Sequence, residues 1–319
     1  MGPQAGSASC LTEARIRLLD LYHRHALVLA HPSDATAPND PWRTTPSTRS
    51  SLLTTYLDDL LTGAHRRVAQ ARARESLPAL RERARAVSAP PSLYDALARA
   101  GVGVIAEVKR ASPSKGPLAP DLDAAEQARA YLDGGASAVS VLTEPDRFHG
   151  SLDDLSAVAA LGAPALRKDF VVDPYQIWEA RLVGASAVLL IVAALEEALL
   201  QSLHDEATVA GLSVLVEVHD DAEVAAATRV GARIVGVNAR DLRTFELDRD
   251  AFARLRPRLP EGCLAVAESG VRNAQDVHQA AADGADAVLV GESVVLAADP
   301  RQAVADLVAA GQMVVHRDA

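Results

Sequence analysis

Four copies of one short pattern set the frame for this chain. Gly135-Ala-Ser-Ala-Val, Gly184-Ala-Ser-Ala-Val, Gly231-Ala-Arg-Ile-Val and Gly284-Ala-Asp-Ala-Val recur about every 50 residues. Each glycine follows an Ala-, Glu- and Arg-rich stretch with helical spacing, and each pattern runs into a short apolar segment. A glycine at that point suits the left-handed residue just past a helix end, and the small alanine lets helix and strand approach. Further apolar runs lie between the copies, so strands are predicted near 103–108, 138–142, 164–167, 187–191, 212–217, 233–237, 263–267 and 286–290. Runs this short and this apolar are expected of strands covered on both faces. Eight strands alternating with helices predict an α/β fold, a closed (β/α)8 TIM barrel with one repeat per two βα units. An open doubly wound sheet is the alternative, but it needs fewer strands and a glycine-rich turn after the first, which this chain lacks.

The segment before the first strand reads differently. Residues 1–50 form an N-terminal extension: Leu11 to Ala30 has helical spacing, and Pro32 to Ser50 is rich in Pro, Ser, Thr and Asp, as a poorly ordered linker would be. The catalytic domain is expected to span 51–319 and to include helices within 51–100. One runs from Ser51 to about Arg74, a second from Pro78 to Val87, and a third is capped by Ser92 and ends at Gly101.

In a barrel of this kind, functional groups gather where the strands end. The first strand ends in Glu107 and Lys109, two positions apart and therefore on one face. The third ends in Arg167, Lys168 and Asp169, the fifth in Glu217, the sixth in Asn238 followed by Arg240, the seventh in Glu268, Ser269 and Gly270, and the eighth in Gly291, Glu292 and Ser293. An isolated exposed ion pair would contribute little. Six polar strand ends in phase describe a ring.

Lysine usage points to the same ring. Of 32 basic residues only Lys109, Lys115 and Lys168 are lysines, and all three fall in the ring or in the loop after the first strand. Arginine stays charged, whereas a buried lysine can lose its proton, so this usage predicts a titratable ammonium. Glu107, Glu217 and Glu268 could instead hold a divalent cation, but the two lysines would compete with it. His219 lies in phase with Glu217, has no second histidine beside it, and reads as a loop residue.

The last two strands suggest an anion site. Ser269 and Gly270 precede a helix expected to start near Asn273, and Gly291 repeats the arrangement. Glycines open the backbone amides, helix starts favour negative charge, and phosphate often binds after strands seven and eight of such barrels. Ser112 and Arg240 are plausible further donors. A net charge of −10 and 3% aromatic residues argue against nucleic acid and anionic membranes as partners. Cys10 and Cys263 supply neither a disulfide framework nor a zinc site. With no apolar run of membrane-spanning length and no signal-peptide pattern, the expected location is the cytoplasm.

The motifs IAEVKRASPSKG, LTEPDRFHGS, LRKDFVVDPYQI, AVLLIVAAL, VGVNARDL, VAESGV and VLVGES occur in order from the first strand to the last. From about Ser51 onward the chain resembles the indole-3-glycerol phosphate synthase family. That resemblance implies a (β/α)8 barrel with helices over its mouth, a small phosphorylated substrate, and no metal or organic cofactor. It implies ring closure, decarboxylation and dehydration of 1-(2-carboxyphenylamino)-1-deoxyribulose 5-phosphate in tryptophan or specialised indole biosynthesis. The same resemblance implies roles for the residues. Lys168 is the acid toward the ribulose carbonyl, and Glu217 faces the anilino nitrogen. Lys109 holds the carboxylate and acts with Glu107 in dehydration, while Asn238 and Glu268 orient the lysines and the sugar. Ser112, Arg240, Ser269, Gly270, Gly291 and Glu292 (through its backbone) surround the phosphate, and Phe148 and Leu242 line the anthranilate side. Two other readings are isomerisation of phosphoribosylanthranilate on a sister barrel, for which neither cysteine is placed, and a binder without catalysis, against which the acid–base residues argue. A monomer or weak homo-oligomer is expected.

Overall fold

The computed structural model describes residues 56–113 and 115–312. The expected extension over residues 1–50, the start of the first helix at Ser51 and the turn residue Ser114 lie outside the described residues.

Eight strands close into a parallel barrel: β1 (Gly103–Val108), β2 (Ala138–Leu142), β3 (Ala165–Lys168), β4 (Ala187–Ile191), β5 (Ser213–Val218), β6 (Ile234–Asn238), β7 (Leu264–Glu268) and β8 (Ala287–Val290). Each strand pairs with its neighbours in sequence, and β1 closes the ring on β8, with Gly103 opposite Ala287. Every strand lies within a residue of its sequence-based position. The repeat glycines do what the pattern requires: Gly135, Gly184, Gly231 and Gly284 have φ of 93°, 88°, 72° and 88°, each just past a helix end. Side chains of Asp123, Ser151, Asp173, Asp220 and Asn273 accept hydrogen bonds from the first-turn amides of the helices that follow them. Such caps are worth about 1 kcal/mol each.

Alternation along the strands divides the core in two. Val104, Ala106, Val139, Val141, Val188, Leu190, Val216, Val235 and Val288 pack outward against the helices. Ile105, Ala138, Leu166, Ala187, Leu189, Leu215, Ile234, Val266, Ala287 and Leu289 fill the barrel interior as a second buried cluster. Period two then aims the next residue along each interior row at the C-terminal mouth.

Among the described residues, three helices precede the barrel: α1 (Tyr56–Arg74), α2 (Leu77–Ala86) and α3 (Leu93–Leu97). Leu57, Leu60 and Ala64 of α1 join the interior cluster, as do Leu93 and Leu97 of α3. Arg67 fixes α1 at the mouth by donating to Glu144 and Asp169, which lie past the ends of β2 and β3, at 3.1 and 3.3 Å. Ser92 caps α3 as expected, accepting from the Asp95 amide, but the helix stops at Leu97 rather than at Gly101. Gly101 has φ of 87° and turns the chain into β1. The polar turn after β1 is also more ordered than a loop: Ala111–Ser112 pairs antiparallel with Gly116–Pro117 in a small hairpin. Bidentate hydrogen bonds from Arg110 to Asp154, at 2.6 and 2.8 Å, anchor that hairpin at its base.

Candidate active site

Glu107, Lys168, Glu217, Asn238 and Glu268 occupy the mouth-facing layer directly above the interior apolar residues, and all but Lys168 are almost fully buried. The sequence placed them in one ring, and they meet there. Lys168 Nζ lies 3.2 Å from Glu217 Oε2 and 3.8 Å from Glu268 Oε2. Lys109 Nζ lies 2.8 Å from Glu107 Oε1.

Asn238 knits three strands together. Its Oδ1 accepts from Ser269 Oγ at 2.8 Å and from the Arg240 amide at 3.0 Å. Its amide group is thereby turned toward Glu217, whose ionised form it favours.

Two glycines make room for this layer. A Cβ on Gly236 would overlap Glu268 Oε1. A Cβ on Gly291 would sit 2.5 Å from Glu107 Oε1 and 2.9 Å from Lys109 Nζ. Gly291→Ala is therefore expected to separate that ion pair and lower kcat roughly tenfold, because misplacing an acid–base pair forfeits part of its contribution. Steady-state kinetics with a matched melting curve checks this.

The electrostatics correct one expectation. Burial pulls the Lys168 pKa down, as the sequence argument anticipated, but Glu217, Glu268 and Glu107 more than offset it. The ammonium is held in its charged form rather than made easy to deprotonate. Burial pushes Glu217 up, yet Lys168, His219 and Asn238 bring its carboxyl below the usual range. Burial and the neighbouring Glu217 charge push Glu268 well above that range. The two buried carboxyl groups are therefore pushed in opposite directions, Glu217 toward the ionised form and Glu268 toward the protonated one.

Not every polar residue after β3 joins the ring. Arg167 and Asp169 flank Lys168 and so point outward, toward the helices. Arg167 donates to the Gln176 carbonyl at 2.6 Å and to Asp169 at 3.0 Å, and Asp169 also accepts from Thr143 Oγ1 at 2.7 Å. His219, read from sequence as a loop residue, lies beside the ring, with Nε2 3.5 Å from Glu217 Oε1. Its spacing of two from Glu217 was the signal for that placement.

The residues expected to hold an anion lie in four loops. Ser269 and Gly270 are consecutive left-handed residues, with φ of 64° and 84°. Ser293 Oγ donates to the Val271 carbonyl at 3.4 Å, and Lys115 on the hairpin pairs with Glu292 at 2.5 Å. Ser112 Oγ is buried with no hydrogen-bond partner. Arg240 is placed by its own loop, donating to the Phe245 carbonyl at 2.9 Å. One element departs from expectation. The amides of Gln275 and Asp276, in the first turn of the helix after β7 (Ala274–Ala282), are taken by the Asn273 side chain, so its start is already capped.

The residues expected on the aromatic side lie on loops and beside α1. Phe148 and Leu242 pack on the interior cluster beside Leu57, Leu60, Phe170 and Ile191. Glu144, with no exposed surface, accepts from the amides of Asp146, Arg147 and Phe148 at 3.0, 2.7 and 3.1 Å and so shapes the loop that carries Phe148. Sequence reasoning missed Glu144, because its role depends on a helix folding over the mouth.

The family model for indole-3-glycerol phosphate synthase matches residues 57–307, which contain every residue of this ring. The chain belongs to the indole-3-glycerol phosphate synthase family. It is 58% identical over 261 residues to the indole-3-glycerol phosphate synthase of Mycobacterium avium (strain 104), covering 81% of this chain and 95% of that protein. It is 55% identical over 258 residues to that of Mycobacterium sp. (strain KMS), with the same coverage of each. Among solved structures, 3-hexulose-6-phosphate synthase from Salmonella typhimurium aligns with a TM-score of 0.56 at 18% identity, covering 67% of this chain and 100% of that one, a likeness of fold alone. Family membership makes the chain a carboxy-lyase of tryptophan biosynthesis. It closes the pyrrole ring of 1-(2-carboxyphenylamino)-1-deoxyribulose 5-phosphate, with loss of carbon dioxide and water, to give indole-3-glycerol phosphate. No helix among the described residues is long and apolar enough to cross a membrane.

Proposed function

We propose that the two lysines of the ring divide this reaction between them, each working with its own carboxylate. Lys168 delivers a proton to the ribulose carbonyl oxygen as the ring carbon attacks, and Glu217, ionised beneath the anilino nitrogen, offsets the positive charge that forms there. Decarboxylation then restores the aromatic ring and needs no further acid. Lys109 holds the substrate carboxylate and afterwards protonates the departing hydroxyl, while Glu107 takes the carbon-bound proton. Glu268 and Asn238 hold Lys168 and Glu217 in position and contact the sugar hydroxyls. The phosphate is held by Ser112, Arg240, the Ser269–Gly270 turn and the backbone at Gly291 and Glu292, with Phe148 and Leu242 against the aromatic ring.

The observation that carries this assignment is the pair of separate contacts, Lys168 with Glu217 and Lys109 with Glu107, at one mouth. A positioned acid at each of two steps is what ring closure and dehydration require. The test is indole fluorescence on mixing the purified chain with the ribulose substrate. Glu217→Gln, which keeps shape but removes charge, is expected to lower kcat by ~10²-fold with a smaller change in KM. Equal kcat in that variant would reject the charge-offsetting role.

The catalytic unit in this reading begins near residue 51, with residues 1–50 an appendage to it. A cytoplasmic location and a monomer or weak homo-oligomer fit an acidic chain whose small substrate and product are both anionic, and sedimentation at working concentration tests the oligomeric state.

A further inference from the structure

The proton balance of this reaction leaves one group uncharged at the end of each cycle. The substrate carries a carboxylate and a phosphate, while the product keeps only the phosphate and the carboxylate carbon leaves as neutral carbon dioxide. One proton is therefore consumed per turnover. In the assignment proposed above, on which this inference rests, Lys109 gives a proton to the leaving hydroxyl and Glu107 takes one from carbon. These two lie 2.8 Å apart, so the pair restores itself by passing that proton back. Lys168 has no such return. Its proton ends on the oxygen that departs as water, and a new one must reach a side chain that is 16% exposed at the mouth, on the side that substrate and product occupy in this assignment.

We propose that His219 is the proton entry for Lys168, working through Glu217. Glu217 has no exposed surface. One of its oxygens lies 3.2 Å from Lys168 Nζ. The other, Oε1, has no hydrogen-bond partner and faces His219 Nε2, also without one, at 3.5 Å, a gap that a small turn of the imidazole closes. On the far side, His219 Nδ1 lies 3.0 Å from Glu223 Oε2, which also accepts the His219 amide at 2.8 Å and so fixes the ring. The side chains of His219 and Glu223 are 14% and 16% exposed, so solvent reaches this end of the row.

The groups facing His219 are Glu217 on β5, Glu223 on the helix that follows and Asp241 in the loop after β6. All three are acids and favour the imidazolium. Burial opposes them, and the net effect raises its pKa above the usual histidine value. Lys168 faces Glu217, Glu268 and Glu107, which hold its proton more firmly still. A proton entering at His219 thus moves toward the stronger base. In the step itself, imidazolium Nε2–H breaks as Glu217 Oε1–H forms. Rotation of the carboxyl turns that Oε1–H toward Lys168, where it breaks as the third Nζ–H of the ammonium forms, and the imidazole, left with its Nδ1–H, regains the Nε2 proton from solvent after a swing of the ring. Glu268 cannot replace this route, because it is itself buried and would need recharging.

His219 is a positioning and relay residue, so its test must separate the first turnover from later ones. With His219→Gln, stopped-flow fluorescence is expected to show a first turnover near that of the unchanged chain, followed by a steady state slower by ~10-fold or more. The steady-state deficit should widen as pH rises between about 6 and 9, because the substitute route draws protons from an emptying pool. Imidazole should restore steady-state turnover in His219→Ala, whereas a non-titrating solute should not. Equal slowing of first and later turnovers without rescue would mean that His219 merely holds Glu217 in place, and the inference would fall. Unchanged kcat across that range would sink it equally. The assignment of Lys168 stands or falls separately, on whether Lys168→Arg retains turnover.

Discussion

Lys168→Arg is expected to lower kcat by ~10²-fold or more, because arginine keeps the positive charge but gives up its proton far too reluctantly to act as an acid. The guanidinium also needs more room than an ammonium held 3.2 Å from Glu217 and 3.8 Å from Glu268. Near-normal turnover in this variant would remove Lys168 from the acid role. Lys168→Met separates charge from chemistry. It strands Glu217 without its main counter-charge, and breaking a buried ion pair from one side costs about 3–5 kcal/mol. The sign of the pH dependence follows from the directions of the shifts. In the unchanged chain Glu217 sits below the usual carboxylate range, so its contribution to stability is present above the unfolded pKa and is lost as pH falls. Without Lys168 the same buried carboxyl moves above that range, and stability declines as pH rises. The stability gap between the two proteins should therefore be small near pH 4 and widen toward neutrality. Urea titrations across that range measure it, and a gap independent of pH would mean that the charge pair contributes nothing net.

The second large effect is expected from a residue with no side chain. Gly236 lies in the middle of β6, opposite Val266 of β7, and a methyl group there would occupy the position of Glu268 Oε1. Gly236→Ala should push the Glu268 carboxyl out of its place beside Lys168, lowering kcat at least tenfold and destabilising the barrel by about 1–3 kcal/mol, as overpacking does. Shortening the acid tests the cause. Gly236→Ala combined with Glu268→Asp should regain much of the lost melting temperature without regaining the lost activity. Wild-type kcat and melting temperature in Gly236→Ala alone would show that the carboxyl has room elsewhere.

Strand positions were legible because buried strands write themselves as short apolar runs, and period two then fixed which polar residues share the mouth. That is why Glu107, Lys168, Glu217, Asn238 and Glu268 were recognisable one by one. The same rule, applied more strictly, would have turned Arg167 and Asp169 outward and brought His219 in. Gly236 was visible as a glycine inside a strand, the usual mark of a close approach, but its partner is 32 positions away and no local pattern names it. The state of Lys168 was misread for a similar reason. Burial is apparent from sequence, whereas three acids converging from β1, β5 and β7 are a property of the closed ring. The cap on the helix after β7 was written in Asn273 itself, and it is this residue that takes the amides otherwise open to an anion.

The buried carboxylate of Glu144 has a wider consequence. It gathers the backbone that presents Phe148 and is itself gripped by Arg67 from α1, so the wall proposed to face the aromatic half of the substrate hangs from parts outside the cylinder of strands. The proton-handling groups are rooted in the strands themselves. In the proposed assignment, choice of arylamine and speed of bond-making thus reside in separate pieces of the molecule, and evolution could retouch the first while leaving the second alone.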